Sequence, residues 1–306
     1  MSLTHVVLDF DGTCTQVEQT QAAYLEAYRA LLVDKVTDRD SKARIGPVFA
    51  AAWGDAVAAI QAASPGAGWT TLSKVSAAPA AADPYILSGE AVAWLTRRWL
   101  EAHPASIPVV PADLYKQAYD SHAAPWRDEL TGVLDELVDL GVKVAFVSNS
   151  SEATIKGRLD DLLAAEPELR AKIAVVGNAA KYEIRELDWD EPLTRAQTRP
   201  FRKLRPARSA HGLERPIYLR RGSYYRALLR VWGETGPTPV STLVVGDVYE
   251  LDLAMPAALG AQIHLVERAA PFATCDYERA LTRKAGGKIT ADLTRLPARV
   301  AKLRKK

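Results

Sequence analysis

The sequence is poor in cysteine, in net charge and in long apolar runs, and each shortage narrows what the protein does. Only Cys14 and Cys275 occur among 306 residues, and neither stands at a metal-ligand spacing. Cys14 reads as a small buried thiol used in packing. The five histidines, His5, His103, His122, His211 and His264, have no partners at such a spacing either, so none is given a role. A formal net charge of +2 supplies no overall pull toward nucleic acid or membrane. There is no secretory amino terminus and no apolar segment long enough to span a bilayer. A soluble cytoplasmic protein is therefore expected, with neither membrane nor nucleic acid as a partner. What the chain does have is length and an ordinary 48% apolar content, enough for a substantial core in one or two domains.

Three apolar runs end in polar groups. Val6 to Leu8 is short and Val-rich, as suits the buried middle of a parallel sheet, and it leads into Asp9-Phe10-Asp11-Gly12-Thr13. In extended geometry Asp9 and Asp11 point to the same side, and Gly12 permits a sharp turn. Two acids on one face divide labour: one attacks as a nucleophile and the other shuttles a proton, provided that a cation relieves their repulsion. Taken alone, the string is equally readable as a plain turn. A second run, Val142 to Val147, delivers Ser148 and Asn149, and a third, Leu243 to Val245, delivers Gly246, Asp247 and then Asp252. Ligands of parallel sheets bind at the carboxyl ends of strands. Three such ends carry groups suited to phosphate and metal.

Between the first two runs, residues 16–125 are rich in alanine and helix formers and show no clear strand. Ala23, Tyr24, Ala27, Tyr28 and Leu31 share one helical face, as do Ala91, Val92, Leu95 and Trp99. This stretch reads as a helical insertion, with Trp53, Trp69, Trp94 and Trp99 mostly in its core. Leu130 to Leu140 forms an amphipathic helix stopped by Gly141. Ile173 to Val176 and Ala261 to Val266 make further strands, and a last strand and short helix occupy Ile289 to Leu303. Strands alternating with helices predict an α/β fold, a doubly wound parallel sheet covered on both faces. Residues 1–15 and 126–306 form this core domain and 16–125 a mainly α-helical one.

The segment from Gly177 to Pro216 is too long for a simple connection. This basic insertion, at about 178–216, holds Arg195, Arg199, Arg202, Lys203, Arg205 and Arg208 without an intervening acid. It is read as a solvated surface excursion in preference to a positive rim for an anionic partner. Lys288, Arg295, Arg299, Lys302, Arg304, Lys305 and Lys306 make the carboxyl end basic as well, and it is read as a frayed, solubilising tail.

The three strand ends together resemble those of the haloacid dehalogenase (HAD)-like hydrolases, in a phosphatase-type member with a helical cap inserted after the first motif. Asp9 to Thr13 resembles the first motif of that superfamily, Ser148 the second, and Gly246-Asp247 with Asp252 the fourth. The third motif departs: relatives commonly place Lys-Pro before a helix, and the nearest counterpart is Arg221-Gly222, with Arg220, Lys181 and Lys203 as competitors. The resemblance implies a Rossmannoid core, a cap that closes over the site, and Mg²⁺ held by the Asp9 carboxylate, the Asp11 backbone carbonyl and Asp247. Asp252 serves as a further ligand or an orienting acid. Asp9 becomes the nucleophile toward a small phosphate monoester and Asp11 the acid and base. Ser148 and Arg221 bind the transferred phosphoryl group, Asn149 contributes to substrate binding, and Gly12 and Thr13 shape the loop.

Haloalkanoate dehalogenation is disfavoured, because it needs no metal and dehalogenases lack an acid at the place of Asp11. A phosphomutase or phosphonate-cleaving member stays open as an alternative. So does a non-catalytic HAD-like binding protein, which the third-motif departure keeps in view. Monomer and homodimer are equally compatible with the sequence.

Overall fold

Val6 and Leu8 turn to one side of the first strand and Val7 to the other, and both sides are buried. That double burial is what a Val-rich strand in mid-sheet requires. The computed structural model describes residues 2–70, 75–187, 192–233, 236 and 238–305; Lys306 and part of the insertion read at about 178–216 lie outside them.

The chain divides into two compact units. The first comprises Met1–Gln16, Ser76–Ala78 and Trp126–Lys306, and the second Val17–Val75 and Pro79–Pro125. Chain order begins with β1 (His5–Leu8) and then enters the second unit: α1 (Val17–Lys35), β2 (Thr37–Asp38), α2 (Gly46–Ala51), α3 (Trp53–Ala63), α4 (Pro84–Ala102), β3 (Pro108–Val109) and α5 (Leu114–Ser121). Tyr24, Tyr28, Leu32, Phe49, Trp53, Ala91 and Leu95 form its core, with Trp94 and Trp99 packed against it. The Tyr28 and Trp53 rings stack at 5.6 Å, and Asp83 caps α4 by accepting from Ile86 N. β2 and β3 pair antiparallel. No strand is legible there in the sequence, because two-residue strands are too short to display a period of two.

The first unit continues with α6 (Leu130–Asp139), β4 (Lys143–Val147), α7 (Glu152–Leu162), α8 (Pro167–Ala171), β5 (Ile173–Val176), α9 (Arg195–Arg202), β6 (Ala207–Ala210), β7 (Leu213–Tyr218), α10 (Gly222–Trp232), β8 (Thr242–Gly246), α11 (Ala254–Leu259), β9 (Gln262–Val266), α12 (Asp276–Lys284), β10 (Lys288–Thr290) and α13 (Leu296–Arg304). Six strands make one sheet in the order β10-β9-β8-β1-β4-β5, and every pairing is parallel. Separate apolar clusters cover the two faces. The fold is thus α/β, a doubly wound Rossmannoid sheet. Its strand order reverses between β1 and β8, and in open parallel sheets ligands generally bind at the carboxyl ends beside such a point.

The insertion read as a solvated excursion is folded. Thr194 and Gln197 form a capping box that starts α9, and β6 and β7 make an antiparallel hairpin. Phe201, Leu204, Leu213 and Ile217 enter the core while Arg195, Arg199, Arg202, Lys203 and Arg205 stay exposed. Each basic residue turned outward thus has apolar neighbours turned inward, and it is those neighbours that order the segment. Among the described residues no helix is long and apolar enough to cross a membrane.

Candidate active site

β1 and β8 are adjacent and in register, with Leu8 opposite Val245, so the residues that follow them emerge side by side. Asp9 N still donates to Val245 O at 2.9 Å. One carboxylate oxygen from each of Asp9, Asp247 and Asp252 lies within 4.8 Å of the other two, and all three residues are buried. Thr13 Oγ1 stands between two of them, 3.0 Å from Asp9 Oδ2 and 3.1 Å from Asp247 Oδ1. The hydroxyl shares one proton between two acids.

Glycine is required at two points of this cluster. Gly12 has φ +81°, and a Cβ there would meet Asp247 Oδ2 at 2.5 Å. At Gly246 a Cβ would meet the Asp252 Cβ at 2.3 Å. The carboxylates come together because the backbone beside them carries no side chain.

The cation beside Asp9 is Lys181, not Arg221. Lys181 is 1% exposed, and its Nζ lies 2.6 Å from Asp9 Oδ1 and 2.8 Å from Asp252 Oδ1. The loop that carries it is stitched to the end of β4: Asn178 N donates to Ser150 O at 2.9 Å, Ala179 N to Ser148 O at 2.8 Å and Lys181 N to Asn149 Oδ1 at 2.7 Å. Asn178 and Ala180 take left-handed conformations, φ 53° and 44°, which turn the chain so that the lysine points inward. Arg221 is fully buried, and its guanidinium donates to three backbone carbonyls, Lys181 O at 2.5 Å, Ala77 O at 2.7 Å and Tyr218 O at 3.3 Å. Its backbone bridges Arg185 just before α10, and this directs the side chain into the packing beneath the lysine loop. Among the other competitors, Arg220 pairs with Glu186 at 2.8 Å and Lys203 is exposed.

The remaining sequence-predicted residues divide. Ser148 is buried at the end of β4 and its Oγ accepts from Ser150 N at 3.2 Å. Asn149 spends its side-chain carbonyl on Lys181 N, so it orients the lysine loop. The Asp11 side chain accepts from Ser150 Oγ at 2.6 Å, and its charge bears on Asp9. Asp252 uses Oδ1 for Lys181 and accepts from Val248 N at 3.0 Å with Oδ2, which makes it an orienting acid. It stands in a π-helical turn, Tyr249–Leu253, a feature often found at functional sites.

Burial raises the Asp9 pKa, while Lys181 pulls it back. Burial and the neighbouring charge of Asp9 push Asp252 up to about 6, again against Lys181. Burial alone would discharge Lys181, yet Asp252 and Asp9 overcome it and hold the ammonium charged well above its ordinary range. Desolvation lowers Arg221 to about 10, as expected of a guanidinium bonded to carbonyls and no carboxylate. Asp9 and Asp252 share the Lys181 ammonium, and Asp247 brings a third buried carboxylate to the cluster. Its donors are all oxygen, with no imidazole or thiolate, and a hard divalent ion fits them.

The chain matches no protein-family model and no curated protein. Among solved structures it is similar to a predicted phosphoglycolate phosphatase from Haemophilus somnus, at 12% identity over 97% of each chain with a TM-score of 0.45. It is similar to L-2-haloacid dehalogenase from Xanthobacter autotrophicus, at 17% identity over 97% of this chain and 98% of the other, TM-score 0.44. A haloacid dehalogenase-like family hydrolase from Xanthomonas campestris matches at 12% identity over 99% and 97%, TM-score 0.41.

Proposed function

We propose that the protein is a Mg²⁺-dependent phosphohydrolase that cleaves a small phosphate monoester through an aspartyl-phosphate on Asp9. The observation that carries this reading is the meeting of Asp9, Asp247, Asp252 and Lys181 in one buried cluster at the switch point of the sheet. Asp9 and Asp247 would hold the ion, with the Asp11 backbone carbonyl. When bound, Mg²⁺ neutralises charge on the phosphate and on the acids.

The chain's own groups perform the steps. An Asp9 oxygen attacks phosphorus, and the bond from phosphorus to the ester oxygen breaks. Asp11 gives its proton to the departing alkoxide, so an alcohol leaves. Asp11, now ionised, takes a proton from water, whose oxygen attacks phosphorus; the bond to Asp9 breaks and inorganic phosphate is released. Lys181 stabilises negative charge on the transferred group and holds Asp9 ionised, while Asp252 orients Lys181. Ser148 donates its hydroxyl to a phosphoryl oxygen. The third-motif departure no longer favours a non-catalytic protein, since a lysine stands beside Asp9.

The test is release of phosphate from a panel of small phosphomonoesters, with and without Mg²⁺, for the native protein and Asp9→Asn. Magnesium-dependent turnover that vanishes in the variant supports the reading. Folded protein that binds Mg²⁺ but hydrolyses no ester shifts the function to a mutase or a binding protein.

A further inference from the structure

Asp247 is held from behind by a second pair of charges that the proposed reaction does not use. Arg268 follows β9 and Glu278 lies in the first turn of α12; they are 8% and 0% exposed. Arg268 Nη2 donates to Glu278 Oε2 at 2.6 Å, Nε donates to Phe272 O at 3.0 Å, and Nη1 donates to the backbone carbonyl of Asp247. Glu278 Oε1 accepts from Tyr249 N at 2.9 Å, and Oε2 accepts from Cys275 N at 2.9 Å. The peptide groups on either side of Val248 are therefore fixed by one buried ion pair, while Val248 N is fixed by Asp252. Three consecutive residues after β8 have their main-chain polar atoms tied to ionised, buried side chains.

A buried ion pair is a poor source of net stability, because desolvation offsets most of its attraction. What this pair does provide is direction. The Asp247 carboxylate points toward Asp9 only if its peptide plane keeps its tilt, and the Arg268 contact to its carbonyl sets that tilt. We infer that Arg268 and Glu278 are positioning residues for Asp247 and that, through it, they set the affinity of the site for a divalent cation. The inference rests on the proposed Mg²⁺ site and extends it to residues far from the first motif.

The test is direct titration of Mg²⁺ by calorimetry, with the full chain, on five proteins: native, Arg268→Lys, Glu278→Gln, the two combined, and Trp232→Phe. Lysine keeps the charge opposite Glu278 but cannot reach both that carboxylate and the Asp247 carbonyl. Outer contacts to metal-binding groups are typically worth 10–100-fold in affinity, and a weakening of roughly that size is expected in Arg268→Lys and Glu278→Gln. The double variant should be no weaker than the worse single one, since the two act as a unit. Trp232→Phe removes the 2.9 Å bond to Thr242 Oγ1 at the opposite end of β8; it should lose stability and keep its Mg²⁺ affinity. Saturating Mg²⁺ should restore kcat in Arg268→Lys. Unchanged affinity in a folded Arg268→Lys overturns the inference and leaves the phosphohydrolase reading intact. No Mg²⁺ binding by the native protein overturns both.

Discussion

Lys181 Nζ lies 2.6 Å from Asp9 Oδ1 across a sequence separation of 172 residues, and 2.8 Å from Asp252 Oδ1. The two acids are close enough to repel, and the ammonium is what permits both to be buried. Lys181→Met should therefore reduce phosphate release by at least about 100-fold, the scale of removing one preorganised charge from a transition state. Breaking a buried pair by removing one partner costs about 3–5 kcal/mol, so urea unfolding should register it too. Arg221→Lys should retain most of the turnover, because among the described residues the Arg221 guanidinium donates to backbone carbonyls. Steady-state kinetics on both variants would decide between the two cations; the assignment fails if Arg221→Lys is the inactive one.

The fold was legible where burial on both faces leaves a simple signature. Val6 to Leu8 and Leu243 to Val245 are apolar, and so is Val142 to Val147 apart from the exposed Lys143, because both sides of these strands are buried, and polar groups follow at the strand ends. Lys181 is among the four candidate cations, and there is a physical reason why the sequence does not rank it first. Its approach to Asp9 depends on left-handed conformations at Asn178 and Ala180, and an alanine gives no sign of a positive φ. One signal was available: Lys181 follows the end of β5, at the same edge of the sheet that identified the other groups. Arg221 has the more familiar setting, directly ahead of α10, and that placement favours it in the sequence. The cations of the insertion are solvated as read, but its folding was not legible, because charge dominates its composition and the few apolar residues that order it, Phe201, Leu204, Leu213 and Ile217, show no sustained period.

Gly12→Ala tests the closeness of the first and fourth motifs. The new methyl would meet Asp247 Oδ2 at 2.5 Å, on a backbone with φ +81°. A left-handed non-glycine residue costs on the order of 1–3 kcal/mol, and the methyl additionally displaces a carboxylate proposed to hold the ion. Calorimetric titration should show weaker Mg²⁺ binding together with a lowered urea midpoint. A destabilised variant with native Mg²⁺ affinity would remove Asp247 from the metal site.

Asp11→Asn separates the two uses of the second acid. A carboxamide cannot protonate an alkoxide, so alkyl phosphate hydrolysis should fall by roughly 10²–10⁴, the usual contribution of a positioned acid or base. An aryl ester such as p-nitrophenyl phosphate has a leaving group that departs without a proton, so its first step should survive. Loss of the base then leaves the aspartyl-phosphate slow to hydrolyse. Rapid-mixing measurements should show a burst of nitrophenolate close to one per enzyme, followed by slow turnover. Equal losses on both esters, with no burst, would exclude Asp11 as the proton carrier.

His264 makes the stability depend on pH in a direction that can be worked out. It is 1% exposed in β9; Nε2 lies 2.7 Å from Thr290 Oγ1, and burial lowers its pKa from 6.5 to about 3. The unfolded chain binds a proton here below pH 6.5 while the folded protein does not until about pH 3. The contribution of this neutral histidine is therefore whole above pH 6.5 and is lost as the pH falls toward 3. The loss amounts to about 1.4 kcal/mol per pH unit within that window. Unfolding free energies from urea titrations at pH 7 and pH 5 should differ by about 2 kcal/mol more in the native protein than in His264→Gln, by the same linkage. Other titrating groups, His5 among them, are present in both proteins and cancel in the comparison. An equal pH dependence in the two would mean that His264 is charged in the folded state, and the buried neutral ring beside Thr290 would have to be abandoned.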